Sequence, residues 1–275
     1  MAKLQNRAML LIICTFTSIL VLWCNIAMAR SEDRVEDHRV TFTDKLWTAD
    51  GVAKQGMMQQ STNILRTPKK PRFLCLHGHL SSATILEQQL KVWPESVTSK
   101  MEFVYVNGSV PLDYDDGTSV DQYFGWFDFD KVTMDQYEII DEGIAYIEDR
   151  MIELGPFDGL LGFSEGALIS ASLPGLQQQG LCLKKVEKIE HVIVISGGGY
   201  PVPELTEPAL PFPINIPSLH IFGETDIARR HAPELVDAYV DPLVLYHHGG
   251  HEVPKLDEEG LRIMYEFLER INAIF

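Results

Sequence analysis

Between Asp158 and Leu168 the chain reads Asp-Gly-Leu-Leu-Gly-Phe-Ser-Glu-Gly-Ala-Leu, which sets one hydroxyl, that of Ser164, between two glycines. Gly162, Ser164 and Gly166 fill the fixed positions of G-x-S-x-G, a pattern in which serine sits on a sharp strand-to-helix turn. The flanks agree with such a turn: Gly159 to Phe163 is an apolar run of strand length, and the residues from Glu165 onward suit a helix. Glycine on each side permits a backbone path that larger residues would block. A serine placed this way is a candidate nucleophile. It needs an imidazole to take its proton and a carboxylate to orient and stabilise that imidazole.

In the architecture this turn belongs to, the α/β-hydrolase fold, the acid and then the base follow the serine in loops just past strands. Asp226 ends Gly-Glu-Thr-Asp after the strand-like run 217–222 and is the preferred acid. Glu224 is the runner-up, and Asp237 and Asp241 read as surface charges. His251, freed by Gly249 and Gly250 after the run 243–247, is the preferred base among nine histidines, with His247 and His248 as alternatives. His38, His77, His79 and His191 precede the acid, His220 lies inside a strand-like run, and His231 follows Asp226 too closely to come from a separate loop.

Acyl transfer also needs two backbone N–H groups aimed at the developing oxyanion, each worth roughly 3–4 kcal/mol. Their expected carriers are Glu165, directly after the serine, and His79, which closes His77-Gly78-His79 behind the apolar run 73–76. His77 itself reads as a buried histidine hydrogen-bonded to its loop. The Glu165 carboxylate would raise the base's pKa and repel anionic acyl groups; the simpler reading is that it complements the helix N-terminus, worth about 0.3–1 kcal/mol.

The elements that must position these residues alternate along the chain. Strands are expected at 72–77, 102–106, 158–163, 191–196, 217–222 and 243–247, and helices at 82–92, 135–154, 165–179, 232–239 and 257–273. Such alternation predicts an α/β fold, a mostly parallel central sheet of about six strands with helices on both faces. Pro174 is expected to bend or end the helix behind Ser164. The segment from Val106 to Met134 shows no clear element and contains the acidic Asp113-Tyr-Asp-Asp116 and the aromatic 123–129. Long loops of this kind are usually functional or disordered, so Tyr123, Phe124, Trp126 and Phe127 are candidates for the substrate pocket wall, with plain core packing as the alternative. The Gly- and Pro-rich stretch 197–217 is a second candidate wall.

Lys70-Pro-Arg-Phe-Leu-Cys-Leu-His-Gly78, Gly155-Pro-Phe-Asp-Gly-Leu-Leu-Gly-Phe-Ser164, Pro217-Ser-Leu-His-Ile-Phe-Gly-Glu-Thr-Asp226 and Gly250-His-Glu-Val-Pro254 resemble the fungal-type serine hydrolase family. That family includes plant members and animal ovarian-cancer-associated hydrolases. The resemblance spans residues 70 to 273 and implies a compact α/β-hydrolase acting on esters or thioesters, with Ser164, Asp226 and His251 at the matching positions. The chain departs from the family where Glu165 replaces its common Gln and where Asn107-Gly108-Ser109 replaces an Asp-Ala-Pro turn. Both departures border the site, so substrate preference does not carry over with the motif.

At 275 residues the chain suits one hydrolase domain, residues 70–275, with N-terminal extensions. Lys3 and Arg7, an apolar run from Ala8 to Cys24 and Ala27-Met28-Ala29 form the pattern of a signal peptide at 1–29. Residues 30–69 are polar and read as a mobile leader. The implied location is the secretory pathway or outside the cell; the alternatives are an uncleaved membrane anchor, or a cytoplasmic protein if translation starts further on. Asn107-Gly108-Ser109 is the one N-x-[ST] sequon, which makes Asn107 the glycosylation candidate. Loss of Lys3 and Arg7 would take the net charge from −16 to −18. That excludes nucleic acid and anionic membranes as expected partners, and argues against polyanionic substrates. Cys14 and Cys24 leave with the signal, and Cys75 and Cys182 are not expected to pair.

These features predict a serine esterase or thioesterase that cleaves a small to medium, mainly neutral acyl substrate through an acyl-enzyme on Ser164, with no metal or organic cofactor. Two other readings fit the same residues: a ligand receptor on a hydrolase scaffold, and an acyltransferase or elimination enzyme of specialised metabolism. The partner expected is a small molecule, with no stable membrane association after signal cleavage and an oligomeric state left open.

Overall fold

The computed structural model describes residues 70–113, 122–128, 136–197, 205–206, 209 and 213–271, all within the unit Thr67–Phe275. The expected signal peptide and leader lie outside the described residues, as do Asp115, Asp116 and Phe129.

Six strands form one parallel sheet: β1 (Arg72–Leu76), β2 (Glu102–Val106), β5 (Gly159–Phe163), β6 (His191–Ile195), β7 (Ser218–Gly223) and β8 (Leu243–His247), in the order β2-β1-β5-β6-β7-β8. β5, β6 and β7 are buried along their whole length, which is why they read as unbroken apolar runs. Successive side chains point to opposite faces. Leu74, Leu76, Leu160, Val192 and Val194 therefore build one core with helices α3 (Gln136–Leu154) and α4 (Glu165–Gln178). Phe73, Cys75, Leu161, Ile193 and Ile195 build the other with α1 (Ala83–Leu90), the short α2 (Glu95–Thr98) and α6 (Glu258–Arg270). A 3-10 turn (Ile227–His231) leads into α5 (Ala232–Asp237), whose Leu235 joins the first core.

The chain leaves β1 toward β2 on one side and returns at β5 on the other. The strand order reverses between β1 and β5, and ligand sites of open α/β sheets lie beyond the strand ends at such a point. The turns after both strands, 77–82 and 164, meet there: a Cβ added to Gly78 would lie 3.1 Å from the Ser164 Cβ.

Pro174 does not end its helix: α4 runs through it to Gln178. The ring sits in a fully buried stretch, Gly175 next to it leaves no space for a Cβ beside the Ala209 carbonyl, and tertiary packing holds the helix across the missing N–H. Inside 106–134, β3 (Val110–Leu112) and β4 (Tyr123–Gly125) pair antiparallel as a second, two-stranded sheet. Three-residue strands carry too little periodicity to be seen in sequence.

Candidate active site

Ser164 takes φ 56° and ψ −115° at the end of β5, and its N–H donates to the Ile195 carbonyl at 3.0 Å. The flanking glycines have a steric reason: a Cβ on Gly162 would strike the Gly166 carbonyl oxygen, and one on Gly166 would strike that of Leu76. The turn thus forces the serine side chain outward, onto the tip of β5.

His251 Nε2 lies 2.8 Å from Ser164 Oγ, and His251 Nδ1 lies 3.0 and 3.1 Å from the two oxygens of Asp226. Asp226 can only accept when ionised, so Nδ1 carries the imidazole proton and Nε2 is left to accept from the serine hydroxyl. The Asp226 side chain is fully buried while that of His251 is 39% exposed, so the carboxylate is shielded and the imidazole faces the cleft. Burial pushes the Asp226 carboxyl up, but the His251 hydrogen bond and charge, the Ala228 N–H and the Ser196 hydroxyl offset it, and the group stays below its ordinary value.

The acid and base loops are strapped together. Glu224 N–H donates to the His247 carbonyl at 2.8 Å, Thr225 N–H and Oγ1 both reach the Gly249 carbonyl, and a Cβ on Gly223 would overlap the Gly250 carbonyl. His248 pairs instead with Glu224 at 2.9 Å on the exposed rim. The runner-up acid and one alternative base are thereby occupied with each other, and His251 is the histidine that reaches Ser164.

The model of the serine hydrolase (FSH1) family matches residues 66–261. The chain belongs to the serine hydrolase (FSH1) family. It is 28% identical over 205 residues to the Mus musculus protein named Esterase OVCA2, spanning 66% of this chain and 89% of that one. The Caenorhabditis elegans protein named Esterase C25G4.2 is 32% identical over 215 residues, spanning 73% of this chain and 96% of its own. A solved structure of YahD with malic acid superposes with a TM-score of 0.50 at 14% identity, covering 73% of this chain and 93% of that one, a likeness of fold alone. The fold is that of the α/β-hydrolases.

In this serine hydrolase the turn after β1 is wired at every step. The His77 ring is fully buried; its Nδ1 meets the Gly78 carbonyl at 2.7 Å and its Nε2 accepts the Gly108 N–H at 2.9 Å. A carbonyl cannot donate, so Nδ1 holds the proton, and burial, which pushes the His77 pKa down, favours this neutral form. The Trp126 indole N–H donates to the His77 carbonyl at 2.8 Å, and Phe124 N–H to the Ser81 carbonyl at 2.8 Å. His79 and Glu165, the two expected oxyanion carriers, approach through their side chains as well, with Nδ1 and Oε2 3.4 Å apart.

The aromatic segment divides. Trp126 is fully buried and Phe127 is 3% exposed, both in the first core, in keeping with the core-packing alternative for these two residues. A buried indole must find an acceptor, and the His77 carbonyl supplies it. Tyr123 is buried too, whereas Phe124 is half-buried with its ring 6.4 Å from that of His77. A cavity of about 220 Å³ behind the β3–β4 hairpin is bordered by Trp126, Pro111, Ile139 and Glu142, away from Ser164 and His251. Asn107 is exposed, and its Oδ1 accepts the Ala83 N–H at 2.8 Å, closing the start of α1. Of the stretch 197–217, Leu205, Ala209 and Ile214 are core residues. Cys75 and Cys182 are both free thiols, and no metal-competent group of His, Cys, Asp and Glu occurs among the described residues.

Proposed function

We propose that this serine hydrolase cleaves a carboxylic ester or thioester of a small to medium, mainly neutral acyl group through an acyl-enzyme on Ser164. The observation that carries the reading is the unbroken relay from Ser164 Oγ to His251 Nε2 at 2.8 Å and from His251 Nδ1 to Asp226 at 3.0 Å. In it, Oγ attacks the carbonyl carbon as His251 takes its proton, and the oxyanion forms against the amides of His79 and Glu165. The imidazolium then gives the proton to the leaving alcohol or thiol. Water, deprotonated by His251, attacks the acyl carbon and releases the acid, and the proton returns to Ser164 Oγ. The name esterase, carried by both relatives, supports an ester as the small-molecule substrate.

The preference for neutral acyl groups rests on the net charge of −16 and on the Glu165 carboxylate beside the nucleophile. For compartment, we propose entry into the secretory pathway with cleavage after Ala29, on the residue pattern at 1–29. A native N-terminus at Met1 would overturn that proposal.

The test is a fluorophosphonate probe followed by peptide mapping, run beside a panel of aryl esters and thioesters of increasing acyl length. Labelling at Ser164 alone, with parallel loss of multiple turnover, is expected. Labelling of Ser164 in a protein that turns over no ester or thioester would replace the hydrolase reading with that of a receptor on the same scaffold.

A further inference from the structure

The two amides expected to hold the oxyanion belong to different elements. That of His79 stands in the turn after β1, and that of Glu165 in the first turn of α4. Two donors stabilise one oxyanion only when both face the same point, so the spacing of these turns has to be held. Close packing sets how near they come: a Cβ on Gly78 would lie 3.1 Å from the Ser164 Cβ. It does not limit how far they can part.

The side chains of the same two residues meet. His79 Nδ1 lies 3.4 Å from Glu165 Oε2, an ion-pair distance rather than that of an aligned hydrogen bond. The Glu165 side chain is only 12% exposed, and its Oε2 is closed off from solvent with no hydrogen bond of good geometry. A carboxylate oxygen shut away from water requires a donor or a cation beside it, and His79 Nδ1 is the nitrogen placed there. An ionised carboxylate only accepts, so Nδ1 carries a proton whichever form the imidazole takes. The ring is seated in turn on the β3–β4 hairpin: a Cβ on Gly125 would lie 3.2 Å from Nδ1 and 3.4 Å from Cε1. Complementing a helix N-terminus accounts for an acid in the first turn, but not for a donor brought to it from another element.

We infer that the side chains of His79 and Glu165 form a tie across the oxyanion hole, which sets the spacing of the two donor amides. Both are positioning residues in this role, since each side chain acts through the backbone it belongs to. The tie also keeps a protonated nitrogen beside a carboxylate that otherwise stands uncompensated next to the forming oxyanion. The inference rests on the roles proposed for Ser164 and the two amides.

The experiment measures kcat and KM on a short neutral aryl ester for the wild type, His79→Phe, Glu165→Ala, the two combined, Glu165→Gln and Ser164→Ala. Rates are counted per site titrated to completion by the fluorophosphonate, so unfolded protein does not enter. Ser164→Ala, which lacks that site, is counted per mole of protein with wild-type circular dichroism. His79→Phe keeps a ring against Gly125 and removes the donor, whereas Glu165→Ala removes the acceptor. Each is expected to lose roughly tenfold in kcat with KM nearly unchanged, as for one hydrogen bond to a charged group expressed in the transition state. The combined variant should lose no more than either alone, because both substitutions break the same contact. Glu165→Gln keeps an uncharged acceptor; a charge-assisted bond is about twice as strong as a neutral one, so a loss of only about threefold is expected. Wild-type kcat in His79→Phe, or losses that multiply in the combined variant, would overturn the tie and leave Glu165 as the complement of the helix N-terminus. A Glu165→Gln variant as slow as Glu165→Ala would overturn it as well. Full turnover in Ser164→Ala would instead overturn the catalytic reading beneath it.

Discussion

A serine at φ 56° and ψ −115° is held in a conformation that costs roughly 1–3 kcal/mol, and close packing of Gly162 and Gly166 enforces it. The strain delivers Oγ to His251, so Ser164→Ala and His251→Ala are each expected to cut kcat by three or more orders of magnitude, as members of such a unit do. Circular dichroism should stay at wild type in both. Normal turnover in His251→Ala with loss in His248→Ala would move the base to the rim. Two other histidines bear on stability. Burial pushes His220 down to about 3 and His191 down to about 4, so both are neutral in the fold at pH 7. The unfolded chain protonates them near pH 6.5, so it binds more protons than the fold below that pH, and stability falls as the solution is acidified. Urea midpoints should drop between pH 6.5 and pH 4, at up to about 1.4 kcal/mol per pH unit for each histidine. His220→Gln should flatten part of that slope; an unchanged slope would show that His220 does not carry it.

At the scale of elements, the β3–β4 hairpin is the brace of the turn that carries His79. Trp126 holds the His77 carbonyl, Phe124 pairs with Ser81, and Gly108 N–H meets the His77 ring, so the hairpin and the turn move together. Trp126→Ala should cost about 3–5 kcal/mol as a core truncation. Trp126→Phe keeps most of the volume and removes the indole donor, so it isolates the hydrogen bond. It is expected to cost about 1 kcal/mol in urea unfolding and, on the proposed role of the His79 amide as an oxyanion donor, to lower kcat more than it raises KM. A change confined to KM would place the hairpin in substrate binding. Gly108→Ala should be worse than either, since its Cβ would overlap the Gly125 carbonyl.

Across the whole molecule the dominant quantity is charge. On the proposed preference for neutral acyl groups, the net charge of −16 should repel an anionic acyl group before it reaches the cleft. Neutral esters should therefore outperform their carboxylated analogues in kcat/KM. The ratio should shrink as ionic strength rises from about 0.01 to 0.15 M and the Debye length falls from about 30 to 8 Å. A ratio unaffected by salt would trace the selectivity to local contacts such as Glu165. Each methylene that the pocket accepts adds about 0.8 kcal/mol, so rates should rise from acetyl to medium-chain esters. Phe124, half-buried with its ring 6.4 Å from that of His77, is the residue whose truncation should flatten that rise.

What the sequence by itself determined is local. Apolar runs of strand length, glycines where a Cβ has no room and polar residues just past strand ends mark β1, β5, β7 and β8 and single out Ser164, Asp226 and His251 as candidates, because each signal spans only a few neighbouring residues. Tertiary structure decided the rest. Among His247, His248 and His251, the crossing of two loops selects the one that meets Ser164, a contact between residues 87 apart in the chain. Trp126 became core because its indole found an acceptor 49 residues away, and α4 passes Pro174 because the surrounding core holds it. Such choices depend on which groups are left unsatisfied once the sheet has formed, and that is set by packing rather than by sequence neighbours.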